Sequence, residues 1–268
     1  MSTAAAPVEI ASVTLTVHDL LKLSAYYEKL LGLHRLSGDG ATVRLGLGTD
    51  VLLELRGDKA ARKSDPREAG LFHTAFLMPS RAALGSWLIH TSDSHLPLQG
   101  ASDHLVSEAI YLADPEGNGI EVYADRPRVA WYNPDGSIKM ATEGLDLNDV
   151  ARAAKQPYAG APAGLSIGHV HLQVGNVPEA EKFYRDIIGM PVTSHYPGAA
   201  FYGSGGYHHH IATNVWNSRN AKARNLPATG LAGVTLRAEA PDYEAIVKRG
   251  GSDTLADPWG TPVNVVRK

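Results

Sequence analysis

The residue in this sequence whose position most needs an explanation is Glu121, a carboxylate just beyond a tight turn. Taken alone, it could be a solvated charge on an exposed face of a sheet. Residues 114–119, Asp-Pro-Glu-Gly-Asn-Gly, have the composition of a turn, and Ile120–Tyr123 then alternates apolar and polar side chains. Strand geometry places Glu121 on the face opposite Ile120 and Val122. The chain has 12 histidines and no cysteine. Cysteine–zinc sites, iron–sulfur clusters and thiol nucleophiles are thus excluded, and metal binding through nitrogen and oxygen is indicated.

Three consecutive histidines, His208, His209 and His210, form a second group with chemical potential after Gly205 and Gly206. Consecutive residues of a strand point to opposite faces, so the three imidazoles cannot all reach one ion. A role in acid–base chemistry or in the surroundings of a metal is the better interpretation of this run. Strand alternation by itself would put His208 and His210 on one face and His209 on the other.

Composition narrows the class of protein. The 268 residues carry a net charge of −3, which gives no basic surface for nucleic acid. Residues 1–6 lack the basic start and apolar core of a signal peptide, and no apolar run approaches the length that spans a membrane. We therefore expect a soluble, cytoplasmic protein that binds neither nucleic acid nor a membrane.

The elements that must position these residues are repeated along the chain. Residues 10–33 and 167–190 share the order of alternating strand, polar turn and helix with a closing glycine, and residues 70–88 match residues 230–247 in the same way. The chain therefore consists of four modules that begin near residues 8, 70, 165 and 230. Each is predicted to be a β-α-β-β-β unit, which makes the fold class α+β.

A segment rich in Pro, Gly and Ala, residues 124–163, separates modules two and three. We expect it to be irregular, with one short helix at residues 147–154. The chain is accordingly divided into residues 8–127 with modules one and two, a linker at 128–163, and residues 164–268 with modules three and four.

These repeats, together with residues 103–127 and 205–216, resemble the vicinal oxygen chelate superfamily, and within it the bacterial catechol 2,3-dioxygenases. The string Tyr-His-His-His-x-x-x-Asn-x-Trp at residues 207–216 is specific to that branch, whereas the helix motif is common to the superfamily. The resemblance implies paired modules that curl into two cup-shaped sheets. In extradiol members such a cup holds a metal, usually Fe(II), with Mn(II) as the alternative, through two histidines and one glutamate.

The resemblance also implies where the ligands lie, namely on the first strand of each module and on the last strand of one. Those positions are Ser12, His73, His169 and Gly233 on first strands, and Glu121 and Asn264 on last strands. Only modules two and three supply a complete set of ligands, His73, Glu121 and His169, which is the facial triad of non-haem iron. Glu54, at the end of module one, is interpreted as structural.

This ligand set implies an unusual pairing of modules, because in many extradiol relatives the metal lies between modules three and four. Modules two and three must meet here, either within one chain or across a subunit interface, and we favour the pairing within the chain. His171 lies on the same strand face as His169, so it is the alternative ligand or else a contact for the substrate.

Catalytic residues follow from the same resemblance. Extradiol relatives have a histidine, one further residue and then Ile-Ala, a pattern that selects His209, while strand alternation would allow His208 and His210 instead. Tyr111 matches a family tyrosine that hydrogen-bonds the bound phenolic oxygen. We expect His209 and Tyr111 to be catalytic, and His171 and His210 to bind substrate.

The function implied is that of an Fe(II)-dependent extradiol dioxygenase that inserts both atoms of O2 into catechol or a small substituted catechol, as a possible homo-oligomer. A glyoxalase-like isomerase or a thiol transferase is one alternative, but those enzymes commonly use a second carboxylate or a glutamine in place of one histidine. A metal-free protein that binds a small aromatic ligand is another, and the intact triad argues against it.

Overall fold

The computed structural model describes residues 2–268, and its elements follow the repeated order that the sequence predicts. Module one comprises β1 (Val8–Val17), α1 (Leu20–Leu31), β2 (His34–Gly38), β3 (Thr42–Leu47) and β4 (Asp50–Gly57). Module two comprises β5 (Gly70–Leu77), α2 (Arg81–Asp93), β6 (Gly100–Asp103), β7 (Ser107–Ala113) and β8 (Gly119–Asp125).

The second half of the chain repeats this order with one difference. Module three comprises β9 (Ser166–Gln173), α4 (Val177–Glu181, continued by a π-helical turn at Lys182–Ile187), β10 (Val192–Tyr196), β11 (Ala199–Tyr202) and β12 (Ile211–Asn214). Module four comprises β13 (Gly230–Ala238), α5 (Ala240–Gly250), β14 (Thr254–Ala256) and β15 (Pro262–Arg267). The prediction of three strands after every helix is wrong for module four, because the 17 residues after Gly251 hold only two strands and the turn between them.

Local sequence explains where the helices of the first half begin and end. The Asp19 side chain accepts a hydrogen bond from the Lys22 amide at the start of α1, and Gly32 ends that helix with a φ of 64°. At the start of α2 the Ser80 side chain accepts from the Ala83 amide. These caps fix the lengths of the helices that pack behind the sheets.

The strands form two sheets, and each sheet draws on both halves of the chain. Modules one and four form the seven-stranded sheet, in the order β14-β15-β13-β1-β4-β3-β2, and modules two and three form the eight-stranded sheet, in the order β10-β11-β12-β9-β5-β8-β7-β6. The predicted pairing of module two with three and of module one with four within the chain is confirmed. The linker at residues 128–163 separates the two halves of the chain in sequence. That residues 8–127 and 164–268 are separate domains stays a prediction.

The linker is irregular, as expected, and it crosses the open side of the eight-stranded sheet. It contains a 3-10 turn at Arg128–Ala130 and the short helix α3 at Leu147–Arg152. Trp131 is fully buried and donates through Nε1 to the Arg126 carbonyl at 2.8 Å. The amide and carbonyl of Glu143 both bond to Asp103, at 2.9 and 3.0 Å. These contacts hold the middle of the linker against β6.

Among residues 2–268, no helix has the length and apolar character needed to cross a membrane.

Candidate metal centre

The register of the eight-stranded sheet brings the three predicted metal ligands together. Strand β5 pairs antiparallel with β9 and parallel with β8, and Ala75 lies opposite both His169 and Glu121. His73 is two residues before Ala75 and therefore projects from the same face of β5. Three neighbouring strands thus direct two imidazoles and a carboxylate to one point in the cup.

The three side chains converge on a single carboxylate oxygen. His73 Nε2 lies 2.9 Å and His169 Nε2 lies 3.3 Å from Glu121 Oε2. All three residues are buried, and their potential ligand atoms lie within 4.8 Å of one another. This is the one group of three or more histidine and acidic residues with such spacing in the part of the chain that the structure describes.

The donor set fits a divalent metal ion. Although His73 Nε2 is only 2.9 Å from Glu121 Oε2, it makes no hydrogen bond, so the short distance reflects convergence and not a donor pointed at an acceptor. A buried ring nitrogen without a partner costs free energy. A metal ion on its lone pair would satisfy it, and two imidazoles with one carboxylate leave further positions open on iron.

The charge states of the ligands also suit a metal. Burial opposes ionisation of Glu121, but His169 and His73 outweigh it and hold the pKa of the carboxyl well below its usual range. Burial lowers the pKa of His169, although Glu121 acts in the opposite direction. Near pH 7 the site therefore presents an ionised carboxylate and a neutral imidazole, the forms that bind metal.

His171 lies beside this group but outside it. Its Nε2 is 3.0 Å from Asn214 Nδ2 and accepts the amide hydrogen there, while its ring is 5.0 Å from the ring of His73. Burial lowers the pKa of His171 well below its usual value. The structure thus groups His169, and not its neighbour, with the other two ligands, and His171 lines the cavity in front of them.

His209 is the member of the histidine run that reaches the cavity. Its ring centroid lies 4.1 Å from that of His169, and it belongs to the cavity wall. His208 turns away and donates through Nε2 to Asp125 Oδ1 at 2.8 Å. Nδ1 of His209 then donates to Nδ1 of His208, at 2.9 Å, which leaves Nε2 of His209 as an acceptor.

His210 does not reach the cavity, so we withdraw it as a substrate-binding residue. Its Nε2 bonds to the Ala4 carbonyl at 2.8 Å, and its Nδ1 accepts from the Ser204 amide at 3.2 Å. The physical reason is that β12 begins only at Ile211, so the histidine run lies in the preceding loop. Strand alternation does not apply there.

The buried position of His210 predicts a pH-dependent loss of stability. Burial lowers its pKa to about 4 from 6.5, so between these values the unfolded chain binds a proton that the folded chain does not. Stability therefore falls as the pH falls, and this residue alone contributes a loss of about 2 kcal/mol between pH 7 and pH 5. We expect H210Q to lose correspondingly less free energy of unfolding over this range, measured by urea denaturation.

The control for this measurement is H34N, which removes an exposed imidazole from β2. It should lose as much stability on acidification as the unmodified chain. Parallel pH profiles for H210Q and the unmodified chain would contradict the prediction.

Tyr111 lies opposite Glu121 on the neighbouring strand β7 and faces the cavity. Burial, together with the charge of Glu121, raises the pKa of Tyr111 well above its usual value, so the phenol stays protonated. His104 donates through Nδ1 to the Ala141 carbonyl at 2.7 Å, and its Nε2 therefore accepts from the Tyr111 hydroxyl at 2.5 Å. Sequence reasoning missed His104, although it lies inside the informative stretch 103–127.

The cavity in front of the ligands has a volume of about 290 Å³. The triad, His171, His209 and Tyr111 form its inner end. Its remaining wall is mainly apolar and includes Phe72, Val106, Met140, Phe201 and Trp216. Residues 140–142 come from the linker, which the sequence predicts only as an irregular excursion.

The other sheet has a carboxylate at the corresponding place, but that carboxylate is held by arginines. Glu54 bonds to Arg44 at 2.6 Å and to Arg56 at 2.7 Å. Burial opposes its ionisation, but the two guanidinium groups prevail and lower the pKa of Glu54. These contacts support the structural interpretation of this residue.

Two curled sheets built from repeated modules, one of them with two histidines and a glutamate in its cup, define a protein of the vicinal oxygen chelate class. A sequence model of the Glyoxalase/Bleomycin resistance protein/Dioxygenase superfamily matches residues 9–122 and 166–255. The chain belongs to this superfamily, and the resemblance seen in the sequence is confirmed.

Individual relatives agree with this assignment. A protein of Bacillus subtilis (strain 168) named catechol-2,3-dioxygenase is 38% identical over 223 residues, which cover 81% of this chain and 78% of that protein. The crystal structure of glyoxalase I from Zea mays covers 97% of this chain with a TM-score of 0.58 at 15% identity, and 92% of its own chain is matched. The cppA protein of Streptococcus pneumoniae TIGR4 has a TM-score of 0.63 at 12% identity, with 97% and 99% of the two chains covered. The two structures show similarity of fold.

Proposed function

We propose that this protein is an Fe(II)-dependent extradiol dioxygenase that inserts both atoms of O2 into catechol or a small substituted catechol. The observation that carries the proposal is the buried group of His73, Glu121 and His169 at the inner end of a cavity large enough for an aromatic diol. The relative named catechol-2,3-dioxygenase supports the same activity. Assembly into a homo-oligomer and a cytoplasmic location stay predictions.

The ligands in this proposal are His73 Nε2, His169 Nε2 and the Glu121 carboxylate. A divalent iron ion bound there would lower the pKa of the substrate hydroxyls and provide the open positions needed for the diol and for O2. The same set of nitrogen and oxygen donors also suits Mn(II).

His209 has the position and protonation state of a general base. Burial holds its pKa well below the usual value, so its imidazole is neutral near pH 7. Hydrogen bonding to His208 turns Nε2 of His209 into the free acceptor, as described above. In our proposal Nε2 accepts a phenolic proton from the substrate and later returns it, so that one residue serves as base and then as acid.

Tyr111 is proposed to position a phenolic oxygen of the substrate. Because the phenol stays protonated and donates its hydrogen to His104, its oxygen is left to accept a hydrogen bond from a substrate hydroxyl at the edge of the triad. His171 is neutral and fixed by Asn214, and we propose that its ring packs against the bound diol.

Anaerobic reconstitution tests the proposed activity. Protein loaded with Fe(II) in the absence of air is expected to turn catechol into a yellow ring-opened product once air is admitted, and protein treated with chelator is not. The control is the same preparation loaded with Zn(II), which binds these donors but does not undergo redox chemistry. Iron-loaded protein that binds catechol without forming product would contradict the proposal. Isomerisation of a glutathione hemithioacetal by that sample would favour the glyoxalase-like alternative.

A further inference from the structure

Much of the cavity wall outside the triad is formed by aromatic side chains and the thioether of Met140. Phe72 and Trp216 meet edge to face with ring centroids 5.4 Å apart, and Tyr196 lies 6.4 Å from Trp216 in the same manner. Trp216 is 45% and Tyr196 is 49% exposed, so these two rings form the rim of the cavity. Large exposed aromatic side chains beside a buried polar site are typical of surfaces that bind apolar groups.

No lysine or arginine lines this cavity in the described chain, residues 2–268. The arginine that follows β8, Arg126, is bound by Asp103 and Glu108 and does not belong to the wall. Both ring nitrogens of His104 are used and Nε2 of His171 accepts from Asn214, so these two imidazoles offer nothing to an anion. Other polar side chains of this wall are the neutral hydroxyls of Ser102, Ser107 and Thr142. A carboxylate brought here would lose its hydration without gaining a cation.

The linker supplies one apolar side chain of this wall, Met140. Met140 lines the cavity and packs on Phe201 and its neighbours Ala199 and Ala212. A thioether adapts its shape to an apolar neighbour and offers nothing to an anion. The linker segment is held in place by the Asp103–Glu143 backbone bonds, so Met140 has a defined position in the cavity wall.

We infer that the site takes uncharged catechols with an apolar ring substituent and discriminates against catechols that carry a carboxylate, with Met140 as a specificity-determining residue. This inference rests on the proposed function, since it concerns the substituent of the diol that the triad would bind. Met140 belongs to the cavity wall and is not one of the proposed metal ligands.

Binding without turnover tests the inference. Protein loaded with Fe(II) is titrated calorimetrically under anaerobic conditions with unsubstituted catechol, with 4-ethylcatechol, with 3,4-dihydroxyphenylacetate, and with the primary amide of that acid. The amide has the size of the acid without its charge, so it separates polarity and volume from charge. We expect the acid to bind at least about tenfold more weakly than 4-ethylcatechol, with the amide closer to the latter. Equal affinities for the acid and 4-ethylcatechol overturn the inference and leave the proposed function intact, whereas failure of unsubstituted catechol to bind contradicts the proposed function itself.

A pair of arginine variants tests the assignment of Met140. M140R places a cation in the wall. It is expected to raise the affinity for 3,4-dihydroxyphenylacetate relative to that for 4-ethylcatechol by about tenfold or more. V129R adds the same charge to the linker at a side chain that is 87% exposed and outside the cavity, and the ratio should not change. A folded, metal-loaded M140R protein with the unmodified ratio would show that Met140 does not determine specificity.

Discussion

Replacing Glu121 by glutamine is expected to abolish tight metal binding. Glu121 is the only anionic member of the group, and both histidines converge on its Oε2 atom. Glutamine keeps the size of the side chain but removes the charge that a divalent cation requires. Since loss of an outer-shell partner alone costs about 10- to 100-fold in metal affinity, we expect a loss of more than about 100-fold here. Metal content after dialysis and anaerobic calorimetry with Fe(II) measure it.

The matched control for this variant is E54Q in the other sheet. Glu54 is the corresponding carboxylate of module one, but its partners are Arg44 and Arg56. E54Q is expected to lower thermal stability, because one of the two arginines loses its acceptor and the other loses its charged partner, while metal content stays that of the unmodified protein. Undiminished metal content in E121Q, or loss of metal in E54Q alone, would place the metal elsewhere in the fold.

The pairing of modules could be predicted from the sequence because ligand-forming residue types disappear at several related positions together. Ser12, Gly233 and Asn264 occupy positions where modules two and three have His73, His169 and Glu121. Such coordinated differences predict which modules share a sheet, and the sheet order confirms it. Propensity alone could not, since all four modules have similar strands and helices.

The irregular parts of the site could not be predicted in this way. Met140 and Ala141 reach the cavity through a linker without hydrophobic periodicity, so nothing in its pattern indicates where it packs. His104 lines the cavity and bonds to Tyr111, which lies seven residues further along the chain, and no repeat or spacing in the sequence indicates this contact. The position of β12 explains the remaining error. His210 lies one residue before that strand, where alternation gives no information about direction.

The histidine run shows how two kinds of sequence reasoning can disagree. Strand alternation would group His208 with His210, whereas the spacing to Ile211 and Ala212 selects His209. In the structure His209 faces the cavity, His208 bonds to Asp125, and His210 bonds to the Ala4 carbonyl. The spacing was the better guide to orientation because it does not depend on the run being a strand. The catalytic role of His209 stays a prediction.

H209F is expected to lower turnover by roughly a hundredfold or more while metal content and catechol binding stay largely intact. The triad already supplies the three ligands that the protein contributes to the metal. A fourth imidazole would occupy a position needed for catechol or O2. Phenylalanine retains the ring that packs 4.1 Å from His169 and 5.0 Å from Phe201, measured between ring centroids, so the wall should keep its shape. What the variant removes is a group that accepts and donates a proton near neutral pH, and the expected loss is that of a general acid–base residue.

Single-turnover kinetics of the iron-loaded variant with catechol and O2 separate this effect from loss of binding. H210Q is the matched control, because it alters the adjacent histidine, whose ring lies outside the cavity. Since His210 touches none of the reacting groups, turnover of H210Q should change by no more than about twofold. Loss of metal from H209F would make His209 a ligand and not an acid–base residue. Full turnover in H209F together with an inactive H208Q would assign the proton transfer to His208, which lies one hydrogen bond further from the cavity and is held by Asp125. The geometry favours His209, because it is the residue of the run whose ring lines the cavity and contacts His169.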